Sequence, residues 1–226
     1  MEEQSRVASE AAAVELAKRL TRLDTLTDQI SAQRETITED KTPFLWKQFI
    51  GKRAWRVDFA NVSLKLKSSI PGYPDSYRRK FTVLIDEETG QLLKISSKYE
   101  GEAPDMRPLP SGEAGEAQLR GQQEIYLGLP TTEPRIKFLD ALDLILSKGV
   151  GSPFLAKEIH GVYVLDSRMK SPARAVWAIT LRGLPPIPVD GPHGDTVPAW
   201  QRNHMRNVLD DATGEVLFAT NSPQPD

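Results

Sequence analysis

Three histidines, His160, His193 and His204, are the only imidazoles the chain offers for proton transfer or metal binding. There is no cysteine, which removes thiolate nucleophiles, thiolate metal sites and disulfides. No H-E-x-x-H or H-x-H pattern places two ring nitrogens on one metal. His193 and Asp195 share the loop Gly191-Pro192-His193-Gly194-Asp195, and His204 follows at a strand start. A hydrolase site built around these residues is the one metal chemistry left open. There is no G-x-S-x-G nucleophile elbow and no Walker loop. Gly149-Val150-Gly151-Ser152 follows a helix, whereas a phosphate cradle precedes one. Carboxylates are abundant, but spacing alone identifies no acid–base couple. The expectation is a protein that is not an enzyme and carries no metal or cofactor.

Two features suit binding instead. From Lys47 to Lys80 the basic residues Lys47, Lys52, Arg53, Arg56, Lys65, Lys67, Arg78, Arg79 and Lys80 meet only Asp58 and Asp75. If Lys65, Lys67, Arg78 and Lys80 share one sheet face, that face is positive and attracts an acidic protein, a polyanion or anionic lipid. The chain's own acidic stretch after Asp86 is a competing neutraliser. The second feature is the Pro/Gly-rich loop 183–203. Long loops inside compact domains are usually functional or disordered. Its proline content lowers the ordering cost of binding. Ile187, Val189, His193, Val197 and Trp200 are its candidate anchors, with packing back on the sheet as the alternative.

These residues need elements to position them. The spacing of Leu16, Leu20, Leu23 and Ile30, in an alanine-rich stretch without Gly or Pro, predicts one long helix over 7–35. Trp55, Val57 and Phe59 alternate as a strand, and Val62, Leu64 and Leu66 do the same. Tyr77, Arg79, Phe81, Val83 and Ile85 share a face of the next strand, and a hairpin turn leads into a return strand over 92–99. Residues 101–130 read as an acidic Pro/Gly-rich linker. A second helix follows, with Thr132 as N-cap, Pro134 in the first turn and Gly149 at its end. Its apolar stripe is Ile136, Leu139, Leu142, Ile145 and Leu146. Strands resume over 162–165 and 175–181, and a last hairpin spans 204–221.

The chain repeats itself. Ile85-Asp86-Glu87-Glu88-Thr89-Gly90-Gln91-Leu92-Leu93 stands against Leu209-Asp210-Asp211-Ala212-Thr213-Gly214-Glu215-Val216-Leu217. Trp55 to Phe59 stands against Trp177 to Leu181, and a helix precedes each tryptophan at nearly the same distance. The D-x-x-T-G segments read as hairpin turns, with Asp capping backbone N–H groups and Gly in the left-handed conformation. They lack the later ligands of a calcium loop. Each buried tryptophan needs an acceptor for its indole N–H. The expected fold is α+β: two tandem copies of a helix packed on a three- to four-stranded antiparallel sheet. The expected units are 1–100 and 131–226.

A helix, then W-x-V/I-x-F/L, then an apolar strand into D-x-x-T-G-x-[VL]-L resembles the bacterial PepSY domain. The matching residues are Trp55, Val57, Phe59, Asp86, Thr89, Gly90 and Leu93, then Trp177, Ile179, Leu181, Asp210, Thr213, Gly214 and Leu217. Cystatin-like folds share the pattern. The resemblance implies a generally non-enzymatic module that restrains proteases or binds partners, acting mainly outside the cytoplasm. The implied partner is another protein, a peptidase or envelope component. This chain departs from the propeptide pattern, because no peptidase follows and long insertions interrupt it.

Composition bounds these readings. The chain has 226 residues, 39% hydrophobic and 27% charged, enough for a core and unlike a disordered chain. A net charge of −2 excludes a globally basic nucleic-acid binder. No apolar run is long enough to cross a membrane, and the polar N-terminus is not a secretory signal. The location is periplasmic or extracellular if an upstream signal was removed, and cytoplasmic otherwise. The leading function is a non-enzymatic protein-binding or inhibitor-like module. A small-ligand carrier with an apolar pocket lined by Phe81, Trp55 and Leu20 is the first alternative, and the hydrolase near 183–203 the second.

Overall fold

The structure is a computed structural model, described over residues 7–38, 47–65, 76–101, 126–147, 156–166, 173–183 and 202–223. The strands are β1 (Ile30–Thr36), β2 (Arg53–Lys65), β3 (Ser76–Asp86), β4 (Leu92–Tyr99), β5 (Tyr126–Gly128), β6 (Glu158–Asp166), β7 (Arg174–Arg182), β8 (Arg202–Asp210) and β9 (Val216–Pro223). The helices are α1 (Glu10–Thr21) and α2 (Phe138–Ser147). The main strands form one antiparallel sheet in the order β1-β2-β3-β4-β6-β7-β8-β9, with β5 beside β6. This corrects the expectation of two separate helix-on-sheet units. The last strand of the first half pairs with β6, from Ile95↔Gly161 to Lys98↔Glu158, and joins both halves into one sheet. Most of the expected linker, 102–125, lies outside the described residues, while its end forms β5.

The long helix expected over 7–35 is also corrected. Ser9 caps α1 by accepting from the Ala12 N–H. The helix stops at Arg22, which takes a left-handed conformation at φ 62° while its N–H closes on the Lys18 carbonyl. A 3₁₀ turn over Leu23–Thr25 then swings the chain into β1. Leu23 keeps its place in the core through this turn, and Ile30 pairs with Phe59. Their helical spacing is therefore coincidental. The second helix starts later than Thr132 and Pro134 imply. The carboxylate of Asp211, from the distant hairpin, accepts the Arg135 and Ile136 N–H groups ahead of it.

Both helices lie on one face of the sheet. Leu16, Leu20, Phe138, Leu142 and Ile145 pack there against Trp55, Phe59, Phe81, Val83, Ile159, Trp177 and Ile179 in a single core. Trp55 and Trp177 each find the acceptor they need just before a helix. Trp55 Nε1 donates to the Val7 carbonyl at 2.9 Å, and Trp177 Nε1 to the Ile136 carbonyl at 2.7 Å. The D-x-x-T-G turns are structural. Asp86 Oδ1 accepts the Glu88 and Thr89 N–H groups, and Asp210 Oδ1 those of Ala212 and Thr213. Gly90 and Gly214 both have φ 72°, which favours glycine.

The two halves meet where α2 lies on β6. A Cβ at Gly161 would stand 2.5 Å from Phe138 Cε2, so the ring occupies the space a side chain would need. Gly161→Ala is expected to lower stability by about 1–3 kcal/mol in chemical denaturation. Adding Phe138→Leu should recover part of the loss, because neighbours couple. Strictly additive losses would show that this contact does not set the approach of α2 to the sheet.

Candidate functional site

The face of the sheet away from the helices carries the charge. An irregularity between Phe59 and Val62, where Asn61 adopts φ 52°, decides which side chains reach it. Before it, Trp55, Val57 and Phe59 enter the core; after it, Val62 and Leu64 do. The extra residue keeps both apolar sets inside and sends Ser63 and Lys65 to the opposite face. Arg78 and Lys80 alternate with the core-facing Arg79 and Phe81, so Lys65, Arg78 and Lys80 share this outer face. Lys67 and the loop candidates Ile187, Val189, His193, Val197 and Trp200 lie outside the described residues. His204 is placed only as a β8 backbone position opposite Arg182 and Ser222.

Lys80 donates to Asp58 at 2.9 Å. The same carboxylate accepts the Thr82 hydroxyl at 2.6 Å and Arg56 Nε at 3.1 Å. Burial alone would raise the Asp58 pKa, but these hydrogen bonds outweigh it and hold it below the ordinary carboxylate value. Lys80 also sits directly opposite Lys98 on β4. Lys65, Arg78 and Lys98 are exposed and make no ion pair among the described residues. The sequence reading missed Lys98, although its alternation with Ser97 and Tyr99 in β4 was a usable signal.

Towards the sheet centre Lys94, Arg182 and Arg206 are buried, and Glu158 and His160 half-buried. Glu158 faces Lys98 on one side and Arg182 on the other. Its Oε2 accepts from Arg182 at 2.8 Å and lies 3.0 Å from His160 Nε2. A carboxylate only accepts, so the His160 Nε2–H donates. Burial lowers the His160 pKa to about 4. The Glu158 hydrogen bond works against that shift, while Lys94 and Arg182 add to it. Burial also lowers Lys94 to about 8 and Arg206 to about 10. Glu158 is committed to His160 and Arg182, which is an anchoring use of a carboxylate. These positions look like solvated outward residues in the sequence, so their burial could not be read there. Among the described residues no group of three or more His, Asp or Glu side chains is placed to hold a metal.

On the helix face a groove of about 750 Å³ opens between α1, the Asp86 turn and residues 130–134. Leu16, Leu20 and Leu92 supply apolar lining, and Arg19, Gln91, Glu133 and Tyr163 polar lining. Arg19 meets Glu133 through three N···O contacts of 2.6–3.1 Å, and Arg22 meets Asp140 at 2.7 Å. These half-exposed pairs contribute about 0–1 kcal/mol each. Of the residues expected to line an apolar pocket, Leu20 touches this groove, while Trp55 and Phe81 are buried core residues.

No family model, no curated protein and no solved structure matches this chain. No helix among the described residues is long and apolar enough to cross a membrane.

The His160 imidazole has a pH signature. Between its ordinary value of 6.5 and about 4, the unfolded chain takes up a proton that folded His160 refuses. Stability is therefore lost as pH falls through that window, by at most about 3 kcal/mol. His160→Gln is expected to flatten the stability profile between those pH values in urea titrations. An unchanged slope would mean that folding does not depress the His160 pKa.

Proposed function

We propose that this chain is a non-enzymatic module that binds another protein, and that its docking surface is the cationic end of the outer sheet face. One observation carries this reading. Lys65, Arg78 and Lys98 stand exposed without ion pairs among the described residues, on the same face as Lys80, and Lys80 lies directly opposite Lys98. Like charges directly opposite on adjacent strands are destabilising. A surface that concentrates them gains when a partner supplies the opposite charge, and it steers that partner during encounter. The PepSY resemblance supports this reading and implies a partner among peptidases or envelope components, outside the cytoplasm. The groove beside α1 is the observation that favours the alternative, a small-ligand carrier, with its site displaced from Trp55 and Phe81.

The test is lysine-reactive footprinting of the intact chain, alone and in envelope and secreted fractions of the source organism. Lys65, Lys80 and Lys98 are expected to lose reactivity in the fractions, while Lys18, on α1, keeps its own. Equal reactivity of all four in both conditions would remove the outer face as the docking surface.

A further inference from the structure

We propose that the cationic end of the outer face recognises an acidic polypeptide segment bound in extended form, with alternate carboxylates seated on Lys65, Arg78 and Lys98. This rests on the reading of that face as the docking surface and adds the chemistry of the partner.

Three observations support it. The first is spacing. Lys65 pairs with Ser76 and Lys98 with Lys80, so each stands one strand over and two residues along from Arg78, on opposite sides of β3, at the diagonal distance of about 7–8 Å. Lys98 lies beside Lys80 on the neighbouring strand, at the inter-strand distance of about 5 Å. An extended peptide presents its own alternate side chains at the same 7 Å repeat, given roughly by the strand rise. The second is a carboxylate already seated on this face. Asp58 is held by Lys80 at 2.9 Å, the Thr82 hydroxyl at 2.6 Å and Arg56 Nε at 3.1 Å. This pairs Lys80 and leaves Lys65, Arg78 and Lys98 without an ion pair among the described residues, since Glu158, opposite Lys98, is taken by His160 and Arg182. The third concerns apolar surface. The one large hydrophobic residue exposed among the described residues is Ile50. It follows Phe49, which packs with Ala54, Leu84 and Leu93 at the far end of this face. The cationic end thus offers charge without a described apolar anchor for a bilayer, and a peptide that supplies only carboxylates suits it better than a membrane.

The experiment uses the full chain and two synthetic peptides of equal composition, one alternating Glu and Thr and one with the same residues in two blocks. Vesicles containing anionic lipid serve as a third probe. Binding is read by calorimetry or fluorescence anisotropy at two salt concentrations. The alternating peptide is expected to bind more tightly than the block peptide, and its affinity should fall with salt. Arg78→Glu/Lys98→Glu should weaken it at least about tenfold. The single variant Lys98→Gln removes the like-charge pair with Lys80 without setting a second carboxylate opposite Glu158, so its melting temperature should hold while affinity drops. That combination separates lost recognition from lost folding. Equal affinity for the two peptides, or affinity that survives the double reversal, would overturn the proposal. Vesicle binding lost in the same variants, without peptide binding, would overturn it in favour of a lipid surface. No binding of either peptide, alongside protection of Lys65, Lys80 and Lys98 in the cellular fractions, would overturn the acidic-strand chemistry and leave the docking surface standing.

Discussion

The pairing of β4 with β6 is the constraint on which the rest of the structure depends. Its register runs over only Ile95 to Lys98 and Gly161 to Glu158, yet it turns two repeated halves into one sheet. Backbone hydrogen bonds alone would leave that seam open to water on the helix face. Phe138 closes it. Its ring stacks edge-on with Phe81 from the first half at 6.0 Å and tilts against Trp177 at 5.5 Å, and Trp177 meets Tyr163 at 5.4 Å. Aromatic pairs contribute about 0.5–1.5 kcal/mol each beyond their burial. The half-exposed Arg19–Glu133 and Arg22–Asp140 pairs contribute about 0–1 kcal/mol. The halves are therefore fastened through the core, and the ion pairs only trim the surface above it.

The repetition shows what each half needs and what was added at the seam. Both halves hang their helix from a tryptophan indole through a backbone carbonyl. Both also tie the segment before the helix to the hairpin turn, by different atoms. The Val7 N–H donates to the Glu87 backbone carbonyl, whereas the Ile136 N–H donates to the Asp211 carboxylate. The helix starts differ in a telling way. The second begins with Phe138, which fills the seam, while the first begins after Ser9 with Glu10. The outer strand β1 is correspondingly half-exposed along its length. Gln33, Arg34 and Glu35 on β1 blunt that open edge of the sheet.

Much of the local structure was legible in the sequence. The alternation of Trp55, Val57 and Phe59, the face shared by Tyr77 through Ile85 and the two Asp-capped turns are short-range signals, and each appears as read. The failures were long-range. Leu23 and Ile30 fit a helical stripe, and only the left-handed turn at Arg22 shows that the chain reverses between them. Nothing periodic announces that β4 and β6 pair; the glycine under Phe138 was its single local trace. The site was half legible. Lys65, Arg78 and Lys80 share a face as the basic cluster required. Arg182 is buried, and Glu158 and His160 are half-buried, where β6 runs between β4 and β7, a setting that the expectation of two separate sheets hid.

The outer face itself is divided, and the division explains why its charge is uneven. At one end Leu84 and Leu93 are covered by Ile37 and Phe49, and Val164, Val176 and Val208 form a second apolar cluster, with Leu129 packed against both. Burial satisfies that end. At the other end no such cover exists among the described residues, and Lys65, Arg78 and Lys98 remain exposed. Asp58 shows that the chain can neutralise a lysine when stability is the only requirement, since it holds Lys80 within a full set of hydrogen bonds. Lys98, one strand away, has Glu158 opposite it but no ion pair, because that carboxylate is taken by His160 and Arg182. The extra residue at Asn61 makes the contrast sharper. Without it Lys65 would point to the core side and Val62 and Leu64 outward, so the irregularity that saves the core also adds a cation to this end. A local stability cost of about 0.2–1 kcal/mol for an opposed like-charge pair is small against the folding of a large sheet. It is large enough to bias which molecules approach that surface.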